Sequence, residues 1–162
     1  MADDDIIFRR EGAVGRITLN RPAALNALTL EMCASILRQL EEWAGAREIQ
    51  FVVIDAVPGR AFCAGGDMRA IWQWANAKDS RALEFFRTEY RMNAAIKRFA
   101  KPYVALMNGI VMGGGAGISV HGSHRVATEN TVFAMPETAI WCSASERSIH
   151  SEATKRSTSL SL

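Results

Sequence analysis

Lys101-Pro102-Tyr103-Val104-Ala105-Leu106-Met107-Asn108-Gly109-Ile110-Val111-Met112-Gly113-Gly114-Gly115-Ala116-Gly117 is the stretch on which the fold of this chain turns. The apolar run 103–107 reads as a buried strand. The glycines after it let backbone approach backbone, or a ligand, where any side chain would collide. A short helix can start within Ala116-Gly117-Ile118-Ser119-Val120, so the glycine cluster lies at a strand-to-helix junction. Free N–H groups at such a start point at incoming negative charge, a geometry that suits an oxyanion hole.

Three familiar glycine motifs do not fit. A dinucleotide fingerprint counted from Gly113 puts its last glycine on Ile118, and no lysine follows to make a phosphate-binding loop. Gly117-Ile118-Ser119-Val120-His121 has the serine of a nucleophile elbow but lacks the closing glycine. Close helix–strand packing without a ligand explains residues 113–117 as well as a binding role does.

Upstream, residues 6–10 and 14–19 flank Glu11-Gly12-Ala13 as a hairpin, which Asn20-Arg21-Pro22 stops. Thr29 is placed to cap a helix over 30–44, whose Leu30, Cys33, Ile36, Leu37, Leu40 and Trp43 keep a three-and-four spacing, and Gly45 ends it. Residues 51–54 read as a strand apolar on both faces. A second glycine loop follows, Ala61-Phe62-Cys63-Ala64-Gly65-Gly66-Asp67, with Asp67 capping a helix that begins near Met68. A longer helix over 80–99 is expected to turn Leu83, Phe86, Tyr90, Ala94 and Phe99 inward, with Arg81, Glu84, Arg87 and Arg91 outward. Short strands are expected at 125–127 and 131–133. The result is an α/β layout in which both glycine loops follow buried strands and face one pocket at the strand ends.

The 162 residues are 49% hydrophobic and 22% charged with a formal net charge of +2, which bounds the chain to one globular domain or less. Lys and Arg are scattered among acids, so no basic stripe suggests nucleic acid or a membrane face. No apolar run reaches the roughly 18 residues of a membrane span. The acidic start Met1-Ala2-Asp3-Asp4-Asp5 fits neither a secretory signal nor a transit peptide, and 3 scattered cysteines argue against a disulfide framework. A cytoplasmic location is the expectation.

The two glycine loops together with Phe133-Ala134-Met135-Pro136-Glu137-Thr138 resemble the crotonase (enoyl-CoA hydratase/isomerase) superfamily. Within it the likeness is greatest to the branch that hydrolyses 3-hydroxyisobutyryl-CoA in valine breakdown. The resemblance implies a crotonase-like (ββα)n spiral core and an acyl-CoA thioester substrate. It implies no separate cofactor, since coenzyme A is part of the substrate, and no metal. Backbone N–H groups of Ala64 and Gly114 would hold the thioester oxygen. Gly65, Gly66, Asp67 and Gly113 would cradle the CoA arm and the substrate, Glu89 would contact the substrate, and Glu137 would be the catalytic carboxylate. Members often form trimers or pairs of trimers, so a homo-oligomer is implied too. A hydratase uses two glutamates across the double bond, and the first falls at Gly117, which moves no protons. Hydrolysis with one carboxylate is therefore favoured over hydration or isomerisation, with non-catalytic CoA binding as a third reading.

The likeness stops after Ile140. Where the superfamily branch places a second catalytic aspartate this chain has Ser145, and residues 141–162 turn rich in Ser, Thr and charge without apolar periodicity. Residues 1–140 are thus read as the N-terminal part of a crotonase-like domain, incomplete at its C-terminus, truncated or frame-shifted after Ile140. Residues 141–162 are read as a divergent tail, from a reading-frame change, an alternatively spliced end or natural divergence, and the abrupt break favours the first two. Such a chain is expected to fold poorly alone and to be inactive or nearly so.

Other candidates have plainer readings. Glu89 between Arg87 and Arg91 reads equally as a solvated ion-pair partner, and Asp67 as a cap rather than a reacting group. His121 and His124 lack the spacing and partners of a zinc site. Cys63 with His121 as base would make a thiol nucleophile, but a small buried cysteine in a turn is the commoner arrangement. Trp72 and Trp74 fall on opposite sides of their helix.

Overall fold

The computed structural model describes residues 5–135. Strands β1 (Ile6–Glu11) and β2 (Val14–Leu19) form the expected antiparallel hairpin, turned by Gly12 at φ 63°. Helix α1 (Leu30–Gly45) begins where Thr29 accepts a hydrogen bond from the Met32 amide at 3.1 Å. Its buried stripe is Met32, Cys33, Ile36, Leu40 and Trp43. At its far end Lys101 Nζ donates to the carbonyl of Trp43 in the last turn and to that of the cap residue Ala46.

From there the chain repeats one step three times. Strands β3 (Phe51–Ala56), β5 (Tyr103–Met107) and β7 (His124–Ala127) join β2 in one sheet of order β1-β2-β3-β5-β7, parallel from β2 onward. The strand after each, β4 (Ala61–Cys63), β6 (Ile110–Met112) and β8 (Val132–Ala134), crosses to a second, all-parallel sheet of order β4-β6-β8. Helices α2 (Met68–Asn76) and α3 (Arg81–Arg98) follow β4, and α4 (Gly114–Val120) follows β6. Two strands, one per sheet, and then helix: this is the ββα spiral, seen here for the described residues. Ile17, Leu19, Val52, Ile54, Phe62, Tyr103 and Ala105 from the strands meet Met32, Ile36, Met92 and Ile96 from α1 and α3 in the core. Among the described residues no helix is long and apolar enough to cross a membrane.

Three expectations need correction. Residues 61–63 and 110–112 are strands, where the sequence read only glycine-rich loop. Three-residue strands between glycines carry too little pattern to be distinguished from turns. Helix α4 starts at Gly114, two residues before Ala116, with Gly113 at its cap. The third correction matters most. Helix α3 buries Phe85, Glu89, Met92 and Ile96, and leaves Leu83 55%, Phe86 36% and Tyr90 69% exposed. Both stripes have helical spacing, and periodicity alone does not say which one faces in. The choice is made by Phe85, which fills the space beside Gly66, and by α1, against which α3 packs.

Candidate active site

The Ala61–Asp67 loop is held in shape by the segment before α1. Leu25 and Asn26 both take positive φ, 52° and 54°, a conformation Asn tolerates better than Leu. That bend lets buried Asn26 accept from the Arg21 amide at 2.8 Å and donate to the Ala61 carbonyl at 2.8 Å. Leu28 bridges to Gly66, its amide donating to Gly65 O and its carbonyl accepting from Asp67 N–H, each at 2.8 Å. Gly65 sits at φ 116°, open essentially to glycine alone.

This clamp corrects one assignment. The Ala64 amide donates to the Leu25 carbonyl at 3.0 Å, so it is spent inside the protein and does not face a ligand. The neighbouring Gly66 amide, by contrast, has no hydrogen-bond partner among the described residues, and neither does the Gly114 amide at the start of α4. Both glycines line one cleft of about 160 Å³, together with Glu89 and Phe86. The two loops touch there: a Cβ on Gly65 would lie 3.9 Å from Gly114 N, and one on Gly114 would lie 3.4 Å from the Gly65 carbonyl carbon. Two unpaired amides lining one cleft are the kind of donors an oxyanion hole requires.

Glu89 is inside this cleft rather than solvated between arginines. It is 9% exposed, and its Oε1 would stand 2.6 Å from a Cβ on Gly114. The tip of this carboxylate therefore occupies the room that the missing side chain of Gly114 vacates. Gly113 lines the same wall.

Asp67 has a structural job. Its Oδ1 accepts from the Ala70 amide at 3.1 Å, capping α2, and its Oδ2 pairs with Arg21 at 2.8 Å. Burial pushes this carboxyl up, but hydrogen bonds from the Ala70 amide and Arg21 outweigh that, and it ends below its ordinary range. A carboxylate depressed by folding adds stability above its unfolded pKa, and that stability is lost as pH falls through the folded value. Asp67→Asn is therefore expected to lose stability at neutral pH and to flatten the acid limb below about pH 4. Urea midpoints measured at descending pH check this; parallel curves for the two proteins would refute it.

Cys63 is fully buried, its Sγ donating to Gly65 O at 3.6 Å, and burial pushes its thiol up to about 12. Such a thiol stays protonated and is no nucleophile, which removes the Cys63–His121 reading. Among the described residues no three His, Cys, Asp or Glu side chains gather to hold a metal ion. Trp74 packs against the core under Arg81, while Trp72 is exposed. Glu137 and Ser145 lie outside the described residues. Sequence reasoning missed Asn26 and Arg21 and read Gly66 only as part of the CoA cradle; the one available signal was an Asn seven residues after the end of β2, poised for a left-handed turn.

With this geometry in view, the family described as enoyl-CoA hydratase/isomerase matches residues 14–143. The chain belongs to that family. Among curated relatives, 3-hydroxyisobutyryl-CoA hydrolase, mitochondrial, of Xenopus tropicalis is 55% identical over 138 residues, covering 85% of this chain and 36% of that protein. The Homo sapiens protein of the same name is 52% identical over 139 residues, covering 86% and 36%. The chain thus spans about a third of the length of the curated relatives it matches. Among solved structures, an enoyl-CoA hydratase from Rhodobacter sphaeroides 2.4.1 superposes with a TM-score of 0.80 at 48% identity, covering 82% of this chain and 40% of that one. A carnitinyl-CoA dehydratase from Mycobacterium thermoresistibile gives 0.81 at 44% identity, covering 83% and 40%. Family membership and the crotonase-type ββα architecture therefore agree.

Proposed function

We propose that this chain carries the thioester-binding part of an acyl-CoA hydrolase that converts 3-hydroxyisobutyryl-CoA to 3-hydroxyisobutyrate and CoA, a step of valine catabolism. The amides of Gly66 and Gly114 hold the thioester oxygen, Glu89 lies against the reacting group, the 64–67 loop carries the CoA arm, and Glu137 supplies the carboxylate chemistry. The observation that carries hydrolysis over hydration is at Gly117. It has no carboxylate of its own, and a Cβ there would meet the Asn93 amide at 2.6 Å. The space in which a second proton-moving acid would stand is filled by a neutral amide. The names of the relatives at 55% and 52% identity support the same reading.

The hydratase reading keeps the support of the solved structures, a hydratase and a dehydratase. Free thiol appearing from 3-hydroxyisobutyryl-CoA favours hydrolysis; loss of the crotonyl-CoA double bond without thiol favours hydration. Because the chain spans about a third of its curated relatives, turnover by it alone is expected to be low, and CoA-ester binding without turnover would mark a binding fragment. Wherever thiol release is measurable, Glu137→Gln is expected to cut it by about 10²–10⁴-fold, the usual worth of a positioned acid or base, while ester binding survives. Equal rates would remove Glu137 from the mechanism.

Assembly in threes or sixes follows the family, and the half-exposed Val126, Val132 and Phe133 on β7 and β8 are apolar surface such an assembly would cover; sedimentation decides it. Two buried free thiols, Cys33 and Cys63, fit a reducing compartment, and the cytoplasm is the placement proposed. The names of the curated relatives say mitochondrial, and cell fractionation distinguishes the two.

A further inference from the structure

Helix α3 sends a second polar group into the site, one turn beyond Glu89. Asn93 stands at i+4 from Glu89, on the same helical face. It lines a larger cleft of about 410 Å³ with Glu89, Gly113, Gly114, Gly117 and His121. Its Oδ1 is buried and has no hydrogen-bond partner among the described residues. Nearly every buried polar atom in a folded protein is paired, so an orphan acceptor in a cleft wall calls for a partner from outside the described residues. Only glycine at 117 leaves room for this amide, because a Cβ there would stand 2.6 Å from Nδ2 and 2.9 Å from Oδ1.

The two clefts meet at Phe86, Glu89, Gly113 and Gly114. A thioester whose carbonyl sits at the Gly66 and Gly114 amides therefore has one half in each. With the CoA arm over the 64–67 loop, the acyl half lies on the Asn93 side. Three positions along α4, from Gly114 to Gly117, cover roughly 4.5 Å, about the reach from a thioester carbonyl oxygen to an oxygen on the third carbon of its acyl chain. We propose that Asn93 is the specificity-determining residue for that oxygen: its Oδ1 accepts the hydrogen bond of a 3-hydroxyl, so the site selects hydroxyacyl over plain acyl thioesters. This rests on the acyl-CoA reading above.

The test is equilibrium binding of 3-hydroxyisobutyryl-CoA and isobutyryl-CoA, which differ by the hydroxyl, to the full chain by titration calorimetry. The unsubstituted chain is expected to bind the hydroxy ester at least about fivefold more tightly. Asn93→Leu is expected to abolish that preference by weakening the hydroxy ester alone. Gly117→Ala, which leaves the amide in place chemically but pushes it aside, is expected to do the same; matching circular dichroism spectra establish that both variants fold. If the unsubstituted chain binds both esters equally, or if Asn93→Leu weakens both alike, Asn93 is structural and the inference falls while the acyl-CoA reading stands. If neither ester binds, both fall.

Discussion

Gly115→Ala is expected to destabilise the fold by about 3 kcal/mol or more, at the upper end of what overpacking costs. A Cβ at Gly115 would overlap the carbonyl oxygen of Cys63 and stand 2.9 Å from the Cys63 Cβ. What it meets is main chain. Cys63 closes β4 and pairs with Val111 of β6, so it yields only if the strand or the helix moves. Alanine gains roughly 1 kcal/mol over glycine in a helix, too little to offset that displacement. Of a total stability of about 5–15 kcal/mol, this is a large share. Urea unfolding measures it, and a variant as stable as the parent would show that α4 and β4 are not in contact through their backbones.

Gly114→Ala, one residue earlier, is expected to do the opposite: leave stability within about 1 kcal/mol and abolish function. Gly114 is not among the positive-φ glycines, so alanine is allowed there. Its Cβ would stand 2.6 Å from Glu89 Oε1 and 3.1 Å from Leu28 Cδ1, the far ends of two side chains rather than main chain. The new methyl and the displaced carboxylate then crowd the cleft that Gly66 and Gly114 share, where the proposed function places the thioester oxygen. Misplacing one oxyanion donor costs about 10²–10³-fold in turnover, so thiol release should fall by at least that, and ester binding should weaken along with it. Ester binding and thiol release unchanged in the variant would show that the substrate carbonyl is held elsewhere. Two adjacent glycines, one facing a strand and one facing a cleft, thus separate folding from chemistry.

That the two glycine loops face one cleft was legible, because loops so free of side chains, each after an apolar strand, leave amides and space together. Legible too were the hairpin, α1 with its Thr29 cap, and the Asp67 cap, each set by neighbours in sequence. The donor in the first loop was not. Whether the amide of Ala64 or of Gly66 faces the cleft depends on which one Leu25 captures, and Leu25 is 39 positions away from Ala64 in the sequence. Glu89 shows the same limit: its neighbours Arg87 and Arg91 suggest a solvated acid, yet the roll of α3 places it against Gly114.

By itself the sequence determined the hairpin, the helices, the strands of the larger sheet, the two glycine loops, and the absence of an acid at 117, because these follow from local pattern and residue identity. Tertiary structure alone decided which amides stay unpaired, which face of α3 turns inward, and that Asn93 fills the place a side chain at 117 would take. Each of those depends on contacts between segments far apart in the chain, where packing outweighs local preference.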